Sequence, residues 1–293
     1  MRAVDLFRFP YLGIYVNCFH IAAGDRDILV DSGLAGGQEQ LRRFANSKTV
    51  LLSTHGHWDH IGNHRFLQKH GVQVYANPGD QRYYADHPWH WQALFGQFEN
   101  DFRLPEARKT TFASEIGEEL TPDFALCGGQ VLVIGDKTVE GIETPGHSAG
   151  SICFLVRETG DLFTGDTLMG NGFFGGFPQY TDSFAWRQSM ERLAKVNCET
   201  VYCDHNEPMP GNMLREKALL GIARCEELGK RVRSFARDYR GDPKRLLAET
   251  AAYVAGVEGK SVGGGLCVTV LTHLREMGDT ERTMEVFRTH VPL

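Results

Sequence analysis

A mixed α/β chain, with two strand-rich sheets covered by outer helices and a helical appendage behind them, is predicted by three observations. Short apolar runs bounded by turn residues recur as far as about residue 210, helical spacing interrupts them, and beyond that point the helical pattern takes over. The division that follows is a core unit over 1–210 and an appendage over 211–293.

The elements can be justified in chain order. "IYVNCFHIA" and "DILVDSG" read as a hairpin turned at "AGDRD". "TVLLST" is a continuous apolar strand of the buried kind, and the amphipathic "HIGNHRFLQKH" after it is predicted as one helix ended by Gly71. "VQVYANP", "QVLVI", "TVEGIET", "SICFLVR" and "DLFTGD" continue the strands; "SFAWRQSMERLAKV" is helical by its spacing, and "ETVYCDH" returns to a strand. After "EPMPGN", the runs "MLREKALLGIARCEELGKRVRSFARDY" and "PKRLLAETAAYVAG" are helical, while "LCVTVLTHL" is ambiguous between strand and helix. "EGKSVGGGL" lacks the Gly-Lys-Ser/Thr ending of a phosphate loop and follows no predicted strand, so it reads as a helix-joining loop.

Composition narrows the function classes. With 293 residues, 42% of them hydrophobic and 23% charged, the chain has the makeup of an ordinary globular protein. A formal charge of −6 gives no general attraction to nucleic acid, so that partner is disfavoured. No apolar stretch approaches the roughly 20 residues of a membrane span, and "MRAVDLFRFPYLGIYVN" lacks a clean signal core, so a cytoplasmic protein without membrane contact is expected. The seven cysteines are scattered, odd in number and without a C-x-x-C pair, which argues against a disulfide framework or a thiolate zinc knuckle.

One short stretch concentrates the chemistry. "LLSTHGHWDHIGNH", residues 51–64, places His55, His57, Asp59 and His60 within six positions at the end of an apolar strand. Imidazole and carboxylate suit zinc, iron or manganese, and histidines two apart can converge on one ion where a strand opens into a tight loop. Three further segments have a matching setting: "ETPGHSAGS" with His147, "LFTGDTLMG" with Asp166, and "VYCDHNEP" with His205, each in a turn beside a predicted strand.

Taken in this order, H55-x-H57-x-D59-H60, the His147 of "PGHS", the Asp166 of "GD" and a late His205 resemble the metallo-β-lactamase superfamily of metallohydrolases. The Asp31 of "DILVDSG" also resembles that superfamily's pattern, and the likeness covers roughly residues 10 to 210. The resemblance implies a four-layer αββα sandwich with the metal centre at one edge of the two sheets. By position it also implies that His55, His57 and His147 hold one cation, that Asp59, His60 and His205 hold the other, and that Asp166 bridges them. Asp31 is implied to orient the metal loop from behind. Many relatives carry the last histidine as "GHG", whereas this chain has "DHNEP"; Asp204 and Glu207 beside it are candidates for a competing ligand or for a partner behind the ligands, with solvated loop charges the preferred reading. The helical tail is loosely similar to the C-terminal helical cap of glyoxalase II-like thioesterases.

The expected reaction is hydrolysis of a small carbonyl ester, with a thioester or lactone preferred, by a hydroxide shared between two divalent ions. Zinc is favoured, with iron or manganese as alternatives. Asp59 is the candidate for orienting the nucleophile or passing a proton to the leaving group. Two other readings use the same residues: a phosphodiesterase or ribonuclease, and a signalling or binding protein with a vestigial metal site. The basic run "GKRVRSFARDYRGDPKR" is expected to be a solvated helix face rather than a nucleic-acid groove, and a homodimer stays open. Apolar walls for a small-molecule substrate are sought in Tyr83, Tyr84, Trp89, Trp91, Phe95 and Phe98, and in Phe173, Phe174, Phe177 and Tyr180 after Asp166. His87 and His90 are candidates for extra ligands, with a structural or exposed role preferred, and His20, His64, His70, His273 and His290 are expected to be structural or exposed.

Overall fold

The computed structural model of the chain describes residues 4–11, 14–96, 106–168, 178–238, 245, 249–250, 252–253 and 265–277. The first half builds β1 (Val4–Tyr11), β2 (Ile14–Ala23), β3 (Arg26–Val30), β4 (Thr49–Leu52), β5 (Gln73–Ala76) and β6 (Phe124–Ala125). They form one six-stranded sheet in that order. The second half builds β7 (Val131–Ile134), β8 (Lys137–Glu143), β9 (Ile152–Val156), β10 (Asp161–Phe163), β11 (Thr200–Tyr202) and β12 (Met209–Pro210). These form a second six-stranded sheet, ordered β12-β11-β10-β9-β8-β7.

The alternation of side chains makes the layers. Phe19, Ile28, Val30, Val50 and Leu52 point from the first sheet into a shared core, where Ile152, Phe154, Val156 and Phe163 meet them from the second. Their neighbours Cys18, Leu29 and Leu51 face outward onto Leu41, Leu67, Tyr84, Trp91 and Phe112 of the first helical layer. On the other side Cys153, Leu162 and Val201 pack against Trp186, Met190 and Leu193 of the helix Ser183–Leu193. Because both faces of the central strands are covered, they read as continuous apolar runs. The result is the αββα sandwich.

Two expectations change in detail. The single helix expected over "HIGNHRFLQKH" is two, Trp58–Ile61 and His64–Lys69. The Asn63 amide at the break donates to the carbonyls of Ser32 and Leu34, both at 2.7 Å, tying the break to the end of β3. The ambiguous "LCVTVLTHL" lies in the helix Gly265–Glu276, where Thr269 and Thr272 donate to the carbonyls of Pro178 and Tyr180. Tertiary contact there outweighs the strand preference of β-branched residues.

The helix Leu214–Asp238 buries Leu214, Ala218, Cys225, Leu228 and Val232, one stripe at helical spacing, and packs on the helix Ser183–Leu193. Lys230, Arg233 and Arg237 stand on its exposed side. Of "PKRLLAETAAYVAG" only residues 245, 249–250 and 252–253 are described, and they are helical; "EGKSVGGGL" before Gly265 lies outside the described residues. Among the described residues no helix is long and apolar enough to cross a membrane.

Candidate metal centre

The parallel strands β3, β4 and β5 end at the same edge as the parallel pair β10 and β11. Asp31 follows β3, His55 follows β4, Asp166 follows β10 and His205 follows β11, while His147 sits in the turn between β8 and β9. The two sheets are stitched together here, because the Ile152 amide donates to the Thr54 carbonyl and the Asn17 amide to the Asp204 carbonyl. Gly165 has φ +50°, and a Cβ on it would lie 2.4 Å from Thr54 Oγ1; only glycine lets the Asp166 turn approach the first metal loop this closely.

All seven side chains singled out as ligands converge in this edge, and all are buried. Asp166 lies in the middle: its Oδ2 is 3.9 Å from His55 Nε2, 3.5 Å from His60 Nε2 and 3.5 Å from His147 Nε2, and its Oδ1 is 3.4 Å from His205 Nε2. His55, His57 and His147 form one potential ligand group, and Asp59, His60 and His205 another. Asp59 Oδ2 is 3.7 Å from His60 Nε2 and 3.5 Å from His205 Nε2.

The donor set fits divalent cations. His55 Nε2, His60 Nε2 and Asp166 Oδ1 are buried without a hydrogen-bond partner, although a buried polar group normally has one. Their outer nitrogens are already committed. His147 Nδ1 donates to the Gln179 carbonyl at 3.1 Å and His205 Nδ1 to the Tyr15 carbonyl at 2.8 Å. Thr54 Oγ1 donates to Asp31 at 2.5 Å and stands 3.1 Å from His55 Nδ1, from which it can accept. Each of these contacts fixes Nδ1 as the outward nitrogen, so Nε2 is the atom that would face a cation.

For Asp204 the structure corrects the preferred reading, a solvated loop charge, in favour of a partner behind the ligands. It is fully buried rather than solvated, and its Oδ2 takes the His60 Nδ1 proton at 2.8 Å. Asp31, at φ +57°, faces the same nitrogen at 3.4 Å and accepts the Thr54 amide at 2.8 Å. Although Asp31, His55 and His60 also form a possible ligand group, Asp31 meets the outer nitrogen of His60 and therefore lies behind it. Glu207 is exposed as expected, paired with Arg8 at 2.8 Å.

Charge is distributed unevenly around the cluster. Burial holds His55 and His57 well below the usual imidazole range, with neighbouring imidazoles adding to the effect. Burial also opposes a proton on His60 and His205, yet carboxylates outweigh it. Asp59 and Asp166 hold His60 well above its ordinary value, and Asp166 and Asp59 bring His205 to about 10. Burial, then the facing Asp31, pushes Asp204 well above the carboxylate range.

Asp80 escaped the sequence reading. It is buried, and its carboxylate accepts the Gly56 amide at 2.8 Å, the Gly150 amide at 2.7 Å and the Ser148 hydroxyl at 2.6 Å. It thus clamps the loop of His55 and His57 to the loop of His147. A single aspartate after "YANP" carries no local signal of that role.

Among the aromatics, Tyr83 packs edge-on against His57 at 5.3 Å and against Trp89 at 4.9 Å, which puts a ring wall beside the centre. Tyr84 and Trp91 belong to the outer core, and the Tyr180 hydroxyl is 2.7 Å from His273 Nε2. The side chain of Phe95, together with Phe98, Phe173, Phe174, Phe177 and His290, lies outside the described residues. His64 is fully buried between Ser32 and Ser53, His20 is nearly so between Asp5 and Asp27, and His70 is exposed.

Comparison with known proteins decides the family. The model of the metallo-beta-lactamase superfamily matches residues 12–205. The chain belongs to the metallo-beta-lactamase superfamily. It is similar to the atrochrysone carboxyl ACP thioesterase of Aspergillus fumigatus, at 28% identity over 197 residues, covering 64% of this chain and 50% of that protein. It is also similar to the hydroxyacylglutathione hydrolase of Thermosynechococcus vestitus, at 28% identity over 171 residues, covering 57% of this chain and 55% of that protein. The chain spans about half the length of these curated relatives. A metallo-beta-lactamase family protein from Thermus thermophilus shares the fold with a TM-score of 0.72 and 22% identity, covering 95% of each chain.

Proposed function

We propose that this chain is a dinuclear metal-dependent hydrolase that cleaves a small carbonyl ester, a thioester or lactone in preference. The observation that carries the reading is Asp166, whose two oxygens lie within 3.4 to 3.9 Å of the inward nitrogens of four histidines drawn from both ligand groups. In this reading His55, His57 and His147 hold one cation, Asp59, His60 and His205 hold the second, and Asp166 touches both. Divalent cations held there supply Lewis acidity and bring the pKa of water toward neutrality.

The chain's own groups then divide the remaining work. Burial alone would favour a neutral Asp59, but His60 and His205 keep its pKa below the ordinary carboxylate value, so it is an acceptor at neutral pH. It can take a proton from the attacking water and pass it to the departing sulfur or oxygen, as the water oxygen bonds to the carbonyl carbon and the carbon–sulfur or carbon–oxygen bond breaks. Asp31, Thr54, Asp204, Gln179 and Tyr15 hold the imidazoles by their outer nitrogens. Tyr83 offers an apolar surface for an acyl group. The names of the two relatives, a thioesterase and a hydroxyacylglutathione hydrolase, support acyl transfer to water over phosphoryl chemistry.

Elemental analysis of the purified chain, paired with a panel of thioesters, lactones, simple esters and RNA, tests this. The expected result is two equivalents of a divalent metal and turnover of a thioester or lactone, abolished by His57→Ala together with metal loss. Salt-sensitive cleavage of RNA without acyl hydrolysis, or full activity in the His57→Ala variant, would overturn it.

A further inference from the structure

The imidazoles of the centre do not all face the same way. His55, His60, His147 and His205 turn Nε2 inward and have Nδ1 engaged by Thr54, Asp204, Gln179 and Tyr15. His57 is reversed: its Nδ1 lies 2.9 Å from His147 Nε2, which puts Nδ1 on the side of the donor cluster. When a cation takes the Nδ1 lone pair, the one proton of the His57 ring sits on Nε2. That Nε2 is buried and has no hydrogen-bond partner. Metal-ligating histidines almost always give their second N–H to an acceptor, so His57 lacks what the other four possess.

The complementary group stands nearby. His90, on the short helix His87–Trp91, is 0% exposed, and its Nδ1 is 3.0 Å from the Tyr83 carbonyl. A carbonyl only accepts, so Nδ1 carries the proton and Nε2 is a bare lone pair, and that nitrogen too is buried without a partner. The His57 and His90 rings are 6.4 Å apart between centres. Tyr83 packs edge-on against both, at 5.3 and 4.7 Å, and Phe112 closes the far side of His90 at 5.4 Å. A buried donor without an acceptor and a buried acceptor without a donor therefore share one aromatic-walled corner. Ring centres this far apart keep the two Nε2 atoms beyond direct hydrogen-bond reach, so a bond between them has to be relayed by an ordered water.

We propose that His90 is a positioning residue for His57: His57 Nε2–H donates to a bridging water that in turn donates to His90 Nε2, and this relay fixes which nitrogen of His57 faces the cation site. His90 does not touch substrate or metal in this assignment. The inference rests on the reading of His57 as a metal ligand, and its test is built to separate the two.

The tautomers can be read directly by long-range nitrogen–proton NMR of the zinc-loaded protein. His57 protonated on Nε2 and His90 protonated on Nδ1 are expected; the opposite assignment on either ring overturns the proposal. In parallel, metal-free protein is titrated with cobalt(II) against a chelator, following the visible absorption of the bound ion. His90→Phe keeps the bulk without the acceptor and is expected to weaken one of the two equivalents by roughly 10- to 100-fold and to change its spectrum. His90→Gln, whose amide can donate to Tyr83 and accept from His57, is expected to restore both, and His87→Ala to leave both unchanged. A folded His90→Phe protein with native cobalt affinity and spectrum, while His57→Ala loses an equivalent, would sink this inference alone. If His57→Ala also keeps both equivalents, the metal reading itself fails.

Discussion

The two ends of the candidate metal centre are held in place by different chemistry. At one end His55, His57 and His147 include no carboxylate, and the groups that meet His55 and His147 from behind are neutral: the Thr54 hydroxyl and the Gln179 carbonyl. At the other end Asp59 stands among the ligands, and His60 is backed by Asp204 at 2.8 Å with Asp31 at 3.4 Å. The difference shows in the protons. Burial lowers all three imidazoles of the first end, whereas His60 and His205 are raised against it by their carboxylate neighbours. One end is ordered by geometry and neutral hydrogen bonds, the other by charge, and a carboxylate behind an imidazole strengthens it as a ligand. Asp166 belongs to both.

Removing that shared group is expected to have the largest effect. Asp166→Ala should lower kcat/KM by at least about 10²- to 10³-fold, in the range found when one electrostatic group is taken from a reaction centre. It should also cost both metal equivalents in elemental analysis. Loss of a single equivalent would show that Asp166 serves one end only.

A smaller and more selective effect is expected for Asp204→Asn, which keeps the shape behind His60 and replaces the carboxyl group that meets its Nδ1 with an amide. The equivalent at the Asp59, His60 and His205 end should weaken by roughly 10- to 100-fold while the other holds, as read by stepwise competition with a chelator. Equal weakening at both ends would break the contrast drawn above.

One layer further back, His64 bridges the Ser32 and Ser53 hydroxyls, both at 2.8 Å, and so braces the ends of β3 and β4 without any charge. Burial brings its pKa from 6.5 down to about 4. As pH falls, the unfolded chain therefore takes up this proton first. The stability that neutral His64 contributes is complete above pH 6.5 and is lost on the way to pH 4, by about 1.4 kcal/mol per pH unit. Denaturant unfolding of the wild type and His64→Gln at pH 6 and pH 4.5 should show the wild type losing about 2 kcal/mol more over that interval. Parallel losses in the two proteins would mean that His64 is not held neutral.

Much of this molecule is legible in the order of its residues. The strands show because buried β-structure needs apolar residues on both faces, and His55, His57, Asp59 and His60 show because they are neighbours along the chain. His147, Asp166 and His205 are single residues in turns, and become visible through the family pattern rather than through their surroundings. Asp80 does not show at all, and Asp204 and His90 show as residues without a settled role. Asp204 reads as a loop charge until His60, 144 residues away, is placed against it. Asp80 is tied to Gly150, 70 residues on, and His90 has meaning only beside His57.

The sequence by itself determined two strand-rich sheets under outer helices and the residue types offered at the strand ends, because alternation and short motifs act over a few residues. The four-layer sandwich was legible through the family resemblance. Only the tertiary structure decided which carboxylates are buried behind which imidazoles and which ring nitrogen each histidine turns inward. Those choices depend on burial and on partners brought together from distant strands, and a proton's position follows the acceptor that the fold sets beside it.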